Sequence, residues 1–202
     1  MTIFSEPLEH VTDFVDTVLR WTPGILLAEN AYDGDVYASP HLPQTQSVNE
    51  YKLAYRPAVR AEVYDQLSEA LQRPDKLVRS IHATQVLALS EKPKRRTLGS
   101  RSVMLQFDFD RSPELRSKDF VFISPSKQPW QETAVFCAPG LAYWEVDPRP
   151  LDCHTAFVEV SRDDVETLKL LFAPGRKFYV IAVSSIASAY RILDALCSSS
   201  HS

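Results

Sequence analysis

From Val103 to Asp110 one row of apolar residues alternates with a second row that is polar apart from Met104. Val103, Leu105, Phe107 and Phe109 fall on one side, and Met104, Gln106, Asp108 and Asp110 on the other. A period of two marks a half-buried strand, because successive side chains leave the pleat on opposite faces. The run Ile81–Leu89 alternates less cleanly but can pair with it, and between the two lies the basic stretch Glu91–Arg101. The chain is therefore expected to be arranged around a hairpin over 81–110 with a positively charged tip.

The flanking segments carry their own signals. Ser5-Glu6-Pro7 resembles a helix start, and Leu8, Val11, Val15, Val18 and Leu19 continue it to about Arg20. Asp33-Gly34 predicts a turn between strands at Ile25–Tyr32 and Val36–Ser39, followed by an exposed, proline-marked loop at Pro40–Ser47. Pro57 is expected to open a second helix, with Val59, Val63, Leu67, Ala70 and Leu71 on one face. After the hairpin, Phe120–Ile123, Thr133–Cys137 and Leu141–Val146 read as three antiparallel strands separated by proline or glycine. Thr155–Val160 reads as a strand, with Ser161 capping a helix that carries Val165, Leu168, Leu171 and Phe172. Phe178–Val183 then gives a strand, and Ile186, Tyr190, Leu193 and Leu196 mark a last helix. That order permits a right-handed parallel crossover. The expected fold is a single α+β domain over 1–202. It has a mostly antiparallel sheet, helices packed on one face, and a C-terminal β-α-β-α segment. Residues 1–75 form its helical and hairpin part, 76–197 its sheet and C-terminal helices, and 198–202 a frayed tail.

Composition narrows the function classes. With 202 residues, 45% hydrophobic and 24% charged, the chain has enough apolar side chain for a core and too much for general disorder. A net charge of −4 excludes a globally basic coat for nucleic acid. The three cysteines, Cys137, Cys153 and Cys197, suit neither a disulfide framework nor a zinc ribbon. The N-terminus lacks the pattern of a signal peptide, and no apolar run approaches the roughly 18 residues that span a bilayer. A soluble protein of the cytoplasm or nucleus is expected, with no membrane partner. The five glycines stand singly, so neither a dinucleotide-binding loop nor a phosphate-cradling loop can be built. No cofactor is expected.

The hairpin tip carries Lys92, Lys94, Arg95, Arg96 and Arg101 with no acid between Lys92 and Arg101. Like charges this close repel by roughly 0.5–1 kcal/mol per screened surface pair, a cost that a polyanionic partner removes. Lys94-Arg95-Arg96 also has the composition of a nuclear-import signal. A plain solvated loop is the competing explanation. No aromatic residue interleaves with these charges, which argues against stacking on single-stranded nucleic acid.

Three catalytic arrangements compete with simpler roles for these residues. Asp108 and Asp110 share a strand face and, with Glu145 or Asp147, are weak candidates for divalent-ion chemistry in a phosphate or phosphodiester hydrolase. Acids on a solvent-facing strand, balanced by the adjacent Arg111, are the simpler explanation. Asp147 followed by Glu159 approaches a nuclease pattern, but Ser161 stands where that pattern needs lysine. Cys137 or Cys153 with His154 would make a nucleophile and base only through an unseen tertiary contact, and adjacent strand residues point apart. His41 and His82 stand alone, and no metal site is expected. Trp144 suits the core, whereas Trp130, after Ser126-Lys127-Gln128-Pro129, is a candidate partner anchor. The loop 40–49 is a further candidate docking segment. The leading expectation is a non-catalytic interaction or regulatory protein that uses its basic tip to bind a protein or nucleic acid. Lys92, Lys94, Arg95, Arg96, Arg101 and Trp130 are its contact candidates.

Overall fold

The computed structural model describes residues 9–28, 48–72, 82–91, 99–132, 134–143, 154–172 and 176–198. The elements are α1 (Glu9–Val18), α2 (Pro23–Leu27), α3 (Val48–Gln72), β1 (His82–Glu91), β2 (Ser102–Phe109), β3 (Asp119–Ser124), β4 (Ala138–Tyr143), β5 (Thr155–Ser161), α4 (Val165–Leu171), β6 (Phe178–Ser185) and α5 (Ala187–Ser198). A 3-10 turn, Arg162–Asp164, joins β5 to α4.

The six strands close into an antiparallel barrel in the order β1-β2-β5-β4-β3-β6. The expected hairpin is present: β1 and β2 pair from Glu91↔Leu105 to Val86↔Phe109, with an irregularity between Val86 and Ala88. The other half of β1 pairs with β6, from His82↔Ala182 to Val86↔Phe178. Two paired edges remove the exposed strand rim that an open sheet leaves for aggregation.

Large side chains from some strands fill the barrel against small ones from others. Leu105, Phe107 and Phe109 of β2 and Phe178 and Val180 of β6 share one buried cluster with Ala138 and Ala142 of β4 and Ala156 of β5. Val165 and Leu168 of α4 join that cluster, and the Phe172 ring stacks on Phe178 at 4.5 Å and meets Phe107 edge-on at 6.1 Å. Ser161 caps this turn through Oγ, which accepts from the Asp163 N–H at 3.3 Å.

The second buried cluster lies outside the barrel. There α1, α2, α3 and α5 pack on Phe120 and Phe122 of β3, Leu141 of β4, and Ile181 and Val183 of β6. Helical spacing makes the contact: Val11, Phe14, Val15 and Val18 on α1, and Val59, Val63, Leu67 and Leu71 on α3. Tyr64 ties α3 to α2 by donating to the Ile25 carbonyl at 2.6 Å, with Trp21 edge-on to its ring. Among the described residues no helix is long and apolar enough to cross a membrane.

Several expectations need correction. Ile25–Leu27 is helical, because Thr22 and Pro23 supply an N-cap and first turn: Thr22 Oγ1 accepts from the Ile25 N–H at 3.4 Å. The rest of the hairpin predicted there, and the loop 40–47, lie outside the described residues. Pro57 sits inside α3 rather than at its start; an interior proline removes one donor, and the buried row after it still anchors the helix. The strand predicted at 133–137 does not form over 134–137. The strand predicted at 141–146 is present over Leu141–Tyr143 as part of β4, which starts earlier and runs through Pro139 and Gly140, while 144–146 lie outside the described residues. A glycine is needed there, because a Cβ on Gly140 would stand 2.6 Å from Val158 Cγ1. No parallel crossover forms, since β6 pairs antiparallel with both β1 and β3.

Candidate functional site

Two places gather chemistry-bearing side chains. The first is the end of the barrel from which the hairpin tip leaves. Arg101 is exposed and follows the turn Gly99-Ser100. Asp16 of α1 holds that turn by accepting from the Ser100 N–H at 3.1 Å, Ser100 Oγ at 2.6 Å and the Arg101 N–H at 3.2 Å. Exposed Arg162 lies beside it, its N–H donating to the Arg101 carbonyl at 2.9 Å. Across this base, Lys169 Nζ bridges Glu91 at 2.8 Å and Glu166 at 3.1 Å. The Lys169 hydrogen bond, with its charge, holds Glu91 below the usual carboxylate range. Lys92, Lys94, Arg95 and Arg96 lie outside the described residues.

The second place is a polar chain between barrel and helices that the sequence reading did not assemble. Glu159 sits mid-strand on the outward face of β5 and is fully buried. Its Oε1 accepts from the Gly99 N–H at 2.7 Å and is contacted by Ser102 Oγ. The charge of Glu159 also acts on Tyr143, at the end of β4. The Tyr143 hydroxyl in turn accepts from Lys118 Nζ at 2.5 Å. The amine stands 3.8 Å from the Tyr143 ring centroid and 4.1 Å from that of Tyr190 on α5.

Lys118 reaches this position through backbone in the left-handed region, with φ of 70°. Its N–H donates to the Ala142 carbonyl at 2.8 Å, and its own carbonyl accepts from the Ile186 N–H at 2.9 Å. Those two bonds pin the residue between the end of β4 and the start of α5. A side chain at such a φ costs roughly 1–2 kcal/mol relative to ordinary backbone.

Burial pushes the Lys118 amine down to about 7, outweighing the charges of Glu159 and Asp194, which favour protonation. The two rings also favour the cation, but exposed-to-buried cation–π contacts contribute about 0.5–2 kcal/mol each, less than the several kcal/mol of desolvating an ammonium. Burial pushes Tyr143 far above the phenol range, with the charge of Glu159 adding, and pushes Tyr190 up to about 12. At neutral pH the site thus combines an amine with an available lone pair and two phenols that keep their protons.

The remaining candidates are dispersed. Asp108 Oδ1 accepts from Gln106 Nε2 and Thr155 Oγ1, each at 3.0 Å, while Asp110 is exposed beyond the end of β2. Glu145 and Asp147 lie outside the described residues, and among those described no three potential ligands gather to hold a metal ion. Cys137 is half-buried, and burial pushes its thiol well above the usual range, so it is not a thiolate at neutral pH. His154 is exposed, whereas Cys153 is outside the described residues. Trp130 is half-buried against the helical core, with its indole nitrogen also buried.

Lys118 and Tyr190 gave no motif in sequence. Glu159 did leave a trace, as an acid within the apolar strand Ala156-Phe157-Val158-Glu159-Val160. A charge there asks for buried partners. No protein-family model matches the chain, and no curated protein matches it.

Proposed function

We propose that the chain is a non-catalytic binding protein that engages an acidic macromolecule through the tip of the β1–β2 hairpin. The observation supporting this reading is the way the base of the tip is held. Both arms belong to a closed barrel, and Asp16 and Glu159 together accept three backbone N–H groups from Gly99, Ser100 and Arg101. A charged segment whose two ends are both held in a fixed base is ordered on a partner at lower cost than a free tail. Arg162 extends the positive surface beside Arg101. An acidic protein surface suits it better than single-stranded nucleic acid, because no aromatic side chain interleaves with Lys92, Lys94, Arg95 and Arg96. Residence in the cytoplasm or nucleus belongs to the same proposal.

The test replaces Lys94, Arg95 and Arg96 with alanine and measures retention on an acidic polypeptide, duplex DNA and RNA across a salt series, together with nuclear accumulation. Loss of retention on the polypeptide, with a shallower salt dependence, is expected. Unchanged retention and unchanged distribution would return the tip to ordinary solvated surface, and loss confined to nucleic acid would replace the acidic protein as partner.

A further inference from the structure

We propose that Lys118 is a covalent-capture site for small uncharged aldehydes, its amine set between the Tyr143 and Tyr190 rings and hydrogen-bonded to the Tyr143 hydroxyl. The inference is independent of the hairpin and its partner.

Three observations converge on it. First, the amine is oriented: a 2.5 Å contact to Tyr143 and ring faces at 3.8 Å and 4.1 Å fix where its free valence points. Second, the residue is held at φ 70°, one of two non-glycine residues with positive φ among those described. Strained backbone that delivers a functional group between two aromatic walls is a common mark of a site. Third, Lys118, Tyr143 and Tyr190 are each half-buried rather than fully enclosed. Burial also leaves much of the amine neutral near pH 7, as a nucleophile requires.

The chemistry balances without an oxidant or reductant. The Lys118 nitrogen lone pair attacks the carbonyl carbon, and a proton passes from nitrogen to oxygen to give a carbinolamine. Protonation of that hydroxyl releases water as the nitrogen lone pair closes the C=N bond, and loss of the proton left on nitrogen gives the neutral imine. The sum is one amine and one aldehyde to one imine and one water. Tyr143, kept protonated by its surroundings, is a positioning residue that fixes the amine. The groups facing the amine set the ligand class. Tyr143 and Tyr190 offer flat apolar faces, while Glu159 on β5 and Asp194 on α5 supply negative charge. Together they disfavour aldehydes that carry a carboxylate or phosphate.

The experiment treats the full chain with benzaldehyde and cyanoborohydride at pH 7 and locates alkylated lysines by peptide mass spectrometry. Lys118 is expected to react about tenfold or more faster than the exposed Lys127, Lys169 and Lys177. An amine brought down to about 7 is neutral at pH 7 on the order of a thousandfold more often than one at the ordinary value of 10.5, an advantage offset in part by lower basicity and tighter access. The Lys118 rate should level off above a half-point near pH 7. Tyr143→Phe should reduce the preference for Lys118 severalfold, and 4-carboxybenzaldehyde should show less preference than benzaldehyde. Labelling of Lys118 no faster than of the exposed lysines would overturn the site, a result the wild-type chain gives even if Tyr143→Phe does not fold. Equal preference for the carboxylated aldehyde would overturn the ligand class, and an unchanged preference in a folded Tyr143→Phe would overturn the positioning role.

Discussion

Glu159 on β5 accepts the backbone N–H of Gly99 at 2.7 Å, joining the middle of the barrel wall to the base of the hairpin tip across 60 residues of sequence. Glycine lets the two side chains beside it close on the turn. A Cβ at position 99 would stand 2.7 Å from Ser102 Oγ and collide with the Asp16 carboxylate. Gly99→Ala is therefore expected to lower stability by about 1–3 kcal/mol, the usual range for overpacking a fixed site. Urea unfolding followed by fluorescence measures it, and a midpoint equal to that of the wild type would show that the turn gives way freely.

Lys118 and the two tyrosines shape the pH dependence of stability in opposite senses. The amine has a lower pKa folded than unfolded, so between about pH 7 and its ordinary value of 10.5 the unfolded chain binds more protons. Stability should rise with pH across that window. Tyr143 and Tyr190 have raised values in the fold, so above their ordinary value of 10.0 the unfolded chain loses protons that the folded chain keeps. Stability should then fall. Lys118→Met is expected to flatten the rise between pH 7 and 10 and leave the fall above it, as read from urea midpoints at each pH. A rise of the same slope in the variant would mean that other groups cause it.

The charge of Glu159 opposes the effect of burial on Lys118, so removing it has a definite sign. Glu159→Gln keeps the side-chain shape and removes a charge that favours the protonated amine. The Lys118 pKa should move further down, and NMR titration of isotopically labelled lysine would follow it. An upward movement would contradict the proposed electrostatic order.

What could be read in advance follows from how local each signal is. The row Leu105, Phe107 and Phe109 was legible because its buried face is the barrel interior while Gln106 and Asp108 are only half-buried. β3 does not alternate, since Phe120 and Phe122 face the helices while Val121 and Ile123 face the barrel, leaving both sides buried. Pro139 and Gly140 looked like a break because their use depends on Val158 and Val121 arriving from other strands. Closure of the barrel needs β6 to pair with both β1 and β3, a choice that no local pattern encodes. The Lys118–Tyr143–Glu159 chain was hidden for the same reason. Its members are separated in sequence and meet only when β3, β4 and β5 are side by side.

Gly140 offers a direct check on the tightness of the barrel. An added Cβ would meet Val158 Cγ1 at 2.6 Å, the Glu159 carbonyl oxygen at 3.2 Å and Val121 Cγ2 at 3.3 Å. Gly140→Ala should cost about 1–3 kcal/mol. Pairing it with Val158→Ala, which removes the nearest methyl, should recover part of that cost relative to the sum of the single variants. Strict additivity in the double-mutant cycle would show that the two positions do not share space.

Ala134 provides the converse case, a substitution expected to stabilise. It is exposed and adopts φ 65°, so its Cβ is strained and makes no buried packing contact in return. Glycine at this position relieves a cost of roughly 1–2 kcal/mol. The greater freedom of glycine in the unfolded chain takes back about 0.4–1 kcal/mol. Ala134→Gly should therefore raise the urea midpoint by the equivalent of up to about 1.6 kcal/mol, the largest difference between those two effects. A lower midpoint would show that the left-handed conformation is not held in the folded chain, because only relief of that strain favours glycine here.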